Sequence, residues 1–412
     1  MRVLHERCCG LDIHKKFVVA CLLETDPDGT IRKDIRTYST MTNDLLALCA
    51  WLGAEHCTHV VMESTASFWR PIYNLPEGHV ELLVVNAYHV KAVPGRKTDV
   101  KDAEWLADLL RHGLVRASFI PSPVQRHQRD LTRYRIHLIE ERARLTNRLQ
   151  VVLEDANIKL AAVVTDVRGV SARAILQALL GGETDSHILA ELARGRLRAK
   201  RELLAQAVVG RFAPHHAFLV SEQLAQLDYL EEAIARVSAE IEQQLAAEGE
   251  AVALLDSIPG VSLRTAQVLI AELGSDLSRF PSAQHLASWA GMCPGNAQSG
   301  GRRLSGRTRT GNAWLRRTLV EIAHVAAKTK DTYLAAQYRR IAARRGKKRA
   351  LIAVGHSVLV MIYHILTKRV PYHELGAQYF DERERDHVQQ RLVHRLERLG
   401  YAVTLTTPQP TP

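Results

Sequence analysis

The order of short apolar segments in the first 113 residues constrains the fold more than any other feature of this sequence. Residues 7–38 predict three β-strands, with the turn sequence TDPDGT between the second and the third. A helix follows at 42–53, which we expect to be capped by Thr or Asn and stopped by Gly53. Strands in HVVMEST and VELLVVNA then alternate with helices in SFWRPIYN and DVKDAEWLADLLRHG. The predicted order is β-β-β-α-β-α-β-α.

A three-stranded meander followed by crossover units is the connectivity of a ribonuclease-H-like fold, so the N-terminal part is predicted to be α/β. The remainder is predicted to be all-α. Residues 124–160 form a long polar helix with a narrow apolar stripe, and 220–246 form a second. Such a pair predicts an antiparallel coiled coil or an oligomerisation arm.

The sequence VALLDSIPGVSLRTAQVLIAELG at 252–274 reads as helix, Pro-Gly turn, helix. It is typical of a helix-hairpin-helix element, whose turn amides can meet a phosphate, although an ordinary αα-hairpin fits the same pattern. We predict four segments along the chain. They are a catalytic domain at 1–120, a helical coiled-coil connector at 121–250, a mostly helical C-terminal domain at 251–380, and an extension at 381–412 with a disordered tail after 403.

Charge is distributed unevenly along the chain. Residues 1–110 carry 12 Lys and Arg against 15 Asp and Glu, whereas residues 255–370 carry 19 against 5. A basic domain attracts phosphate backbones through charge neutralisation and counterion release, and basicity that serves only solubility is the alternative. The six cysteines show no CxxC spacing, which argues against zinc and disulfides. With neither a signal peptide nor a membrane-length apolar run, we expect a bacterial cytoplasmic, nucleoid-associated protein.

Four carboxylates stand at positions that favour metal chemistry. Asp12 lies within the apolar first strand, Glu63 ends the strand HVVME, and Asp99 and Asp102 share one face at the start of a helix. In a ribonuclease-H-like sheet the first and fourth strands are neighbours, so these groups would converge. Converging negative charges need a cation, and oxygen ligands suit Mg²⁺ or Mn²⁺. The alternative is that the helix acids serve only the helix dipole and that Asp12 is a turn residue.

Basic residues near these acids and in the C-terminal domain are candidate nucleic-acid contacts. Arg96, Lys97 and Lys101 flank the helix acids, and the run RRIAARRGKKR occupies 339–349. Solvated surface is the alternative for both groups. The candidate contacts are Arg96, Lys97, Lys101, Arg302, Arg303, Arg307, Arg309, Arg316, Arg344, Arg345, Lys347 and Lys348.

Two groups of motifs resemble one family. GLDIHK, VVMESTASFW and GRKTDVKDAEWLADLL resemble the RuvC-like domain of DEDD transposases of the insertion-sequence-110 family. IPGVSLRTAQVLIAELG, together with FPSAQHLASWAGMCPGNAQSGGRRLSGRTRTGNAWLRRTL, resembles that family's C-terminal transposase domain. The resemblance implies that Asp12, Glu63, Asp99 and Asp102 form the metal-binding tetrad of a RuvC-like domain.

The resemblance also implies a recombinase with a serine nucleophile, guided by a bridge RNA and assembled as a homo-oligomer, a dimer or a tetramer, on donor and target double-stranded DNA. Ser299, in NAQSGGRR, is the serine at the matching position, and neighbouring arginines would stabilise charge on the attacked phosphate. Without the resemblance, Ser299 and Ser305 read as loop residues of a Gly, Ser and Arg-rich loop or hairpin. Asn312 is expected to cap the helix that follows.

We therefore predict a transposase that cleaves and rejoins DNA by phosphoryl transfer, with Mg²⁺ as cofactor. Two rivals stay open. The first is a metal-dependent nuclease of the junction-resolvase type, which uses water in place of Ser299. The second is a non-enzymatic nucleic-acid-binding protein with a vestigial site.

Overall fold

The computed structural model describes residues 2–63, 68–75, 77–86, 99–295, 297–300, 302–306, 308 and 311–405. The chain divides into two compact units, Met1–Ser122 and Pro123–Pro412. The tail at 406–412, part of the segment that we expected to be disordered, lies outside the described residues.

The N-terminal unit is built on a mixed five-stranded sheet with the order β3-β2-β1-β4-β5. The first three strands form an antiparallel meander, and β4 and β5 continue the sheet in parallel with β1. The strands are β1 (Arg7–Ile13), β2 (Phe17–Thr25), β3 (Ile31–Ser39), β4 (His59–Glu63) and β5 (Glu81–Val85). The prediction of an α/β region in which the first and fourth strands are neighbours is confirmed.

Within the described residues of this unit, three helices cover the sheet: α1 (Thr42–Ala54), α2 (Trp69–Asn74) and α3 (Asp99–Arg111). Successive strand residues point to opposite faces, and the apolar residues divide accordingly. Cys9, Leu11 and Ile13 pack in a core with residues of α1 and α2, whereas Cys8 packs in a second core with residues of α3. Helices therefore cover both faces of the sheet.

Gly10 sets how closely α3 approaches β1. A Cβ at Gly10 would lie 2.2 Å from the Ala103 carbonyl oxygen and 2.5 Å from the Ala107 amide nitrogen. The backbones of helix and strand therefore meet at this glycine, and any larger residue would push α3 away.

The predicted capping of α1 is wrong. The N-cap is Met41, without a side-chain cap, and the helix runs through Gly53 to Ala54. The Asp44 carboxylate instead accepts a hydrogen bond from the Ser39 amide at 3.3 Å, which ties the first turn back to β3.

The C-terminal unit is almost entirely helical. Its first part contains α4 (Pro123–Asp155), α5 (Leu160–Val163), α6 (Val170–Leu180), α7 (Ser186–Glu191), α8 (Arg201–Ala207) and α9 (Pro214–Gln244). Short 3₁₀ helices span Gly195–Lys200 and Ala246–Glu248. Its second part contains α10 (Gly249–Asp256), α11 (Leu263–Leu273), α12 (Ala283–Trp289), α13 (Ala313–Ala326), α14 (Tyr333–Arg345), α15 (Lys347–Lys368), α16 (Tyr379–Arg383) and α17 (Arg385–Glu397).

The long helices α4 and α9 pack against each other in opposite directions. Gln128, near the start of α4, donates to the Gln244 carbonyl at the end of α9 at 3.1 Å. Asp155, at the end of α4, meets His216 in the first turn of α9 at 2.9 Å. The predicted antiparallel pair is therefore present. That it serves as an oligomerisation arm stays a prediction.

The second part of the unit has its own core, which gathers apolar residues from α10 through α15. By length and composition, α15 is apolar enough to cross a membrane, yet half of its apolar window is buried inside this unit. It packs against α10, α12, α13 and α14, as the central helix of a folded core does. The predicted helix, Pro-Gly turn and helix of 252–274 appear as α10 and α11, and Gly260 in the turn has φ +92°.

Candidate active-site regions

Asp12 and Glu63 lie on the sheet face that α3 covers. The parallel register pairs Leu11 with Met62, so Asp12 and Glu63 are the next residues along neighbouring strands. Cys8 and Val61 belong to the core on the α3 side, and alternation places Asp12 and Glu63 on that same side. The carboxyl ends of two central strands therefore present two carboxylates to one face.

The direction of α3 brings its first turn to the same place. The Cys8 thiol donates to the Ala107 carbonyl at 3.5 Å, and Gly10, two residues later, is in closest approach to Ala103. The helix therefore runs opposite to β1, and Asp12 stands level with the first turn of α3. That turn carries Asp99 and Asp102. We call Asp12, Glu63 and this turn the carboxylate face.

A histidine contacts the first carboxylate of this face. His14 Nε2 lies 3.0 Å from Asp12 Oδ2, and the side chain of Asp12 is 17% exposed. The imidazole also stacks on Phe17, with ring centroids 4.5 Å apart. His14 therefore orients Asp12 at the surface of the unit.

All donors on the carboxylate face are carboxylate oxygens, a set that fits Mg²⁺ or Mn²⁺ better than softer metals. Among the side chains that the structure describes, these carboxylates do not bring three ligand atoms within 4.8 Å of one another. The side chain of Asp99 is outside that description, although its backbone begins α3. Closure of the face around an ion therefore stays a prediction.

The predicted basic neighbours of this face fall largely outside the described part of the chain. Arg96 and Lys97 lie outside the described residues, and only the backbone of Lys101 is described, within α3. A described ion pair does fix the helix: Lys33 Nζ on β3 lies 2.9 Å from Glu104 Oε1 on α3.

The Gly, Ser and Arg-rich segment of the second unit contains an antiparallel hairpin. Strand β6 (Ala297–Ser299) pairs with β7 (Arg302–Ser305), so Ser299 is opposite Arg302 next to the turn. We call these two strands the serine hairpin. Arg302 is exposed, and the side chains of Ser299 and Arg303 are not described. Arg307 and Arg309 lie outside the described residues.

The base of the segment that carries the hairpin is held by the surrounding helices. Pro294 and Thr308 form an isolated antiparallel bridge. Farther down, a Cβ at Gly311 would lie 2.4 Å from the Ala290 carbonyl group. Asn312 then caps α13, because its Oδ1 accepts from the amides of Trp314 at 3.0 Å and Leu315 at 3.2 Å. The predicted cap at Asn312 is confirmed.

Sequence reasoning missed the buried carboxylate of Glu272 on α11, which is completely inaccessible to solvent. Arg133 of α4 binds it with two nitrogens, at 2.7 and 2.9 Å, and Asn312 Nδ2 donates to it at 2.7 Å. The available signal was a single acidic residue in the apolar run VLIAELG.

A strongly basic surface surrounds the turn between α14 and α15. Gly346 separates the two helices with φ +83°, and the predicted contacts on either side of it are exposed. They are Arg344, Arg345, Lys347 and Lys348. Arg316, also predicted, is half-buried on α13. That these residues bind nucleic acid stays a prediction.

Asp155, His215 and His216 form a separate cluster with ligand atoms within 4.8 Å of one another. His216 Nδ1 accepts a hydrogen bond from the Ala213 amide at 3.1 Å, so its proton resides on Nε2 and is donated to Asp155 at 2.9 Å. Both ring nitrogens are therefore engaged in fastening the start of α9 to the end of α4, and neither offers a lone pair to a metal.

Comparison with protein families gives two matches along the chain. A family model of DEDD transposases of the IS110 type, described as "Transposase", matches residues 9–158. A second model, described as "Transposase IS116/IS110/IS902 family", matches residues 252–339. The chain belongs to the IS110 transposase family. The matched ranges include Asp12, Glu63, Asp99 and Asp102 in the first model and Ser299 in the second.

Curated relatives point in the same direction. The chain is 31% identical over 248 residues to an insertion element IS110 uncharacterized 43.6 kDa protein of Streptomyces coelicolor, a match that spans 55% of this chain and 60% of that protein. It is 23% identical over 376 residues to the pilin gene-inverting proteins of Moraxella bovis and Moraxella lacunata, spanning 88% of this chain and 96% of each of theirs. The resemblance stated from the motifs is thus confirmed.

Proposed function

We propose that this protein cuts and rejoins DNA with two chemical regions, the carboxylate face and the serine hairpin. The observation that carries the proposal is the position of Asp12 and Glu63. They end neighbouring strands on the face covered by α3, level with the turn that bears Asp99 and Asp102. The names of the Moraxella relatives, which invert a pilin gene, support DNA rearrangement as the outcome.

The strand order supports a RuvC-like, ribonuclease-H-like assignment for the N-terminal unit. An antiparallel meander followed by parallel β4 and β5, with β4 beside β1, is the connectivity predicted for that fold. In this assignment Asp12, Glu63, Asp99 and Asp102 hold Mg²⁺. The bound ion would polarise the scissile phosphate and stabilise charge on the attacking and leaving oxygens.

The chain's own nucleophile in this proposal is Ser299. Its hydroxyl gives up a proton to a base and attacks the phosphorus, while the bond from phosphorus to the leaving deoxyribose oxygen breaks and that oxygen takes up a proton. The phosphodiester bond is replaced by a phosphoserine bond of similar energy. A deoxyribose hydroxyl of the other DNA can therefore reverse the reaction and rejoin the strands without ATP. Arginines beside Ser299, Arg302 among them, would neutralise charge on the pentavalent phosphorus.

Charge supports the partners that we propose. Residues 255–370, with 19 basic and 5 acidic residues, suit the phosphate backbones of two DNA duplexes and of a guide RNA. The helix-hairpin-helix turn and the basic surface at α14 and α15 are the proposed contacts. A homo-oligomer would bring two copies to two DNAs, and the antiparallel pair of α4 and α9 is the element that we propose for its contact.

A direct test uses a plasmid that carries the gene with its native flanking DNA, with recombinant junctions counted by sequencing. Asp102→Asn should abolish junctions, whereas Glu104→Gln, a carboxylate on the same helix that pairs with Lys33, should leave them near wild type. The purified protein should lose cleavage in EDTA and regain it with Mg²⁺. Equal activity of the two variants, or cleavage that ignores EDTA, would contradict the metal assignment.

Ser299→Ala distinguishes this proposal from the nuclease that uses water. The recombinase predicts loss of both junctions and covalent protein–DNA adducts, with Ser305→Ala as the matched control on the same hairpin. The nuclease predicts that Ser299→Ala cleaves normally and that no adduct forms in the wild type. Sequencing of co-purified RNA tests the guide, because an RNA encoded beside the gene is expected.

A further inference from the structure

The buried carboxylate of Glu272 joins three helices beneath the serine hairpin. It belongs to α11, its two-nitrogen partner Arg133 belongs to α4, and Asn312 begins α13. Arg129 of α4 adds a contact, with Nε 3.5 Å from Glu272 Oε2, and its guanidinium donates to the Ala271 carbonyl at 3.0 Å. A charge removed from water in this way is tolerated only when such partners surround it.

Asn312 uses both ends of its side-chain amide. The oxygen caps α13 through the amides of Trp314 and Leu315, and the nitrogen donates to Glu272 Oε2 at 2.7 Å. The amide is thereby held in one orientation, since the carboxylate can only accept and the helix amides can only donate. The cap of α13 is locked to α11 as well as to its own helix.

The position of Asn312 connects these hydrogen bonds to the base of the serine hairpin. Asn312 is the residue at which the hairpin-bearing segment enters α13, directly after Gly311, whose backbone is in closest approach to Ala290. At its other end, the segment begins after the buried residue Met292. The Pro294–Thr308 bridge joins the two ends of the segment. Displacing Asn312 would therefore move one side of the hairpin base against the other.

We propose that Glu272 and Asn312 are positioning residues for the serine hairpin, with Arg133 holding Glu272 in place. The inference rests on the proposed function, in which Ser299 on β6 is the nucleophile. Glu272 acts through Asn312 and does not touch the reacting phosphate. In-line attack requires the nucleophile to be held within a fraction of an ångström, and a small displacement from a distant residue can lower a rate about 100-fold.

Reciprocal exchange of the two side chains tests this pair without removing either polar group. Asn312→Asp keeps a capping oxygen for α13, because Asp caps as well as Asn, but it faces Glu272 with a second carboxylate. Glu272→Gln alone removes the charge that Arg133 binds. Combining the two places an amide opposite a carboxylate again, but Glu272→Gln leaves Arg133 one acceptor oxygen in place of two, so the expected recovery is partial. Asn312→Ser keeps a capping hydroxyl and is too short to reach Glu272.

Each variant is measured as full-length protein in three ways. Thermal unfolding reports overall stability, and hydrogen exchange by mass spectrometry reports peptides that contain β6 and β7. Adducts are quantified by denaturing pull-down of the protein from cells that carry the gene with its native flanking DNA. The control is Glu321→Gln, which removes an exposed carboxylate of α13 that pairs with Arg317.

We expect Asn312→Asp and Asn312→Ser to accelerate exchange in β6 and β7 and to lower adduct yield about 10- to 100-fold, with Glu321→Gln at the wild-type level. Asn312→Asp combined with Glu272→Gln should recover about tenfold over Asn312→Asp alone, as expected for directly coupled residues. If Glu272 and Asn312 served only general stability, their variants would instead have lower unfolding temperatures, and the combined variant would recover no adduct yield.

The inference is overturned if Asn312→Ser and Asn312→Asp, folded as the wild type is, show wild-type exchange in β6 and β7. It is also overturned if Asn312→Asp combined with Glu272→Gln folds normally and gives no more adduct than Asn312→Asp alone. Ser299→Ala, measured in parallel, reports on the proposed function separately. Unchanged adduct yield in Ser299→Ala would contradict the assignment of Ser299 as the nucleophile. Hydrogen exchange of β6 and β7 would still decide whether Glu272 and Asn312 hold the hairpin.

Discussion

The carboxylate face and the serine hairpin are held in place by different physical means. The carboxylates stand on inner strands of a sheet, where Asp12 pairs with Val19 of β2 and the preceding Leu11 pairs with Met62 of β4, and on a helix that touches β1 through its backbone at Gly10. The hairpin has two short strands of its own, and side chains of distant helices hold its base. The first region should therefore resist side-chain changes nearby, whereas the second should be sensitive to single polar contacts.

The largest effect should come from the residues to which we assign the chemistry. Asp12→Asn and Ser299→Ala should each lower recombination by about 10³-fold or more, since the proposed function makes Asp12 a metal ligand and Ser299 the nucleophile, groups that act in the chemical step. Junction counting in cells measures both. Glu104→Gln and Ser305→Ala are their respective controls. If a control variant lowered the junction count as much as its partner, the loss would reflect general damage to that region and not removal of the proposed functional group.

Backbone contact can be broken separately in each region. Gly10→Ala forces a Cβ to within 2.2 Å of Ala103, and Gly311→Ala forces one to within 2.4 Å of Ala290. Each should cost roughly 1–3 kcal/mol or more of folding free energy, because the close-packed backbone cannot yield. Hydrogen exchange of the full chain should place the loss in β1 and α3 for Gly10→Ala, and in α12 and α13 for Gly311→Ala.

Gly53→Ala is the matched control for these glycines. Gly53 lies inside α1, and a Cβ there would meet nothing within 4 Å. This change should raise stability by up to about 1 kcal/mol, since Ala suits a helix better than Gly. If Gly10→Ala behaved like Gly53→Ala, the close approach of α3 and β1 would be wrong.

The basic turn between α14 and α15 gives a smaller effect, which salt dependence can isolate. Exchange of Arg344, Arg345, Lys347 and Lys348 for Gln should lower the slope of log affinity against log salt by about one for each phosphate that the variant no longer neutralises. An equal charge change elsewhere on the unit is the control, and it uses the exposed residues Arg194, Arg196, Arg198 and Lys200. Equal slopes for the two sets of variants would show that net charge, and not this surface, determines the salt dependence of nucleic-acid affinity.

Thiol reactivity should show the smallest difference between the two units. Burial raises the pKa of Cys8, Cys21 and Cys57 to about 12, so at pH 8 these groups are protonated and shielded. Cys293, beside the hairpin segment, is half-buried, and so is Cys49 of α1, but burial also raises the pKa of the Cys49 thiol. Iodoacetamide at pH 8 should label Cys293 first, and the slow labelling of the buried thiols should increase as pH rises. Rapid labelling of Cys8 would contradict the packing of α3 on β1.

The sequence predicted the features that depend on residues close together in the chain, such as strand positions and one helix cap. Short apolar, β-rich segments located β1 to β5, and the short polar side chain of Asn312 marked the start of a helix. The missed features depend on residues that are distant in the chain. Gly10 matters because of Ala103, and Glu272 is buried only because Arg133 and Asn312 reach it. At the start of α1, Met41 takes the N-cap position without a side-chain cap, and Asp44 accepts from the Ser39 amide of β3. Tertiary contacts of this kind leave almost no periodic signal.

The central claim is that the carboxylate face and the serine hairpin serve one reaction in which the protein becomes joined to DNA. The most direct measurement is mass spectrometry of protein isolated under denaturing conditions from cells that carry the gene with its native flanking DNA. The account predicts a nucleotide linked to Ser299, present in the wild type and absent from Asp12→Asn and Ser299→Ala. Recombinant junctions from a protein that carries no such linkage, or a linkage on another residue, would contradict it.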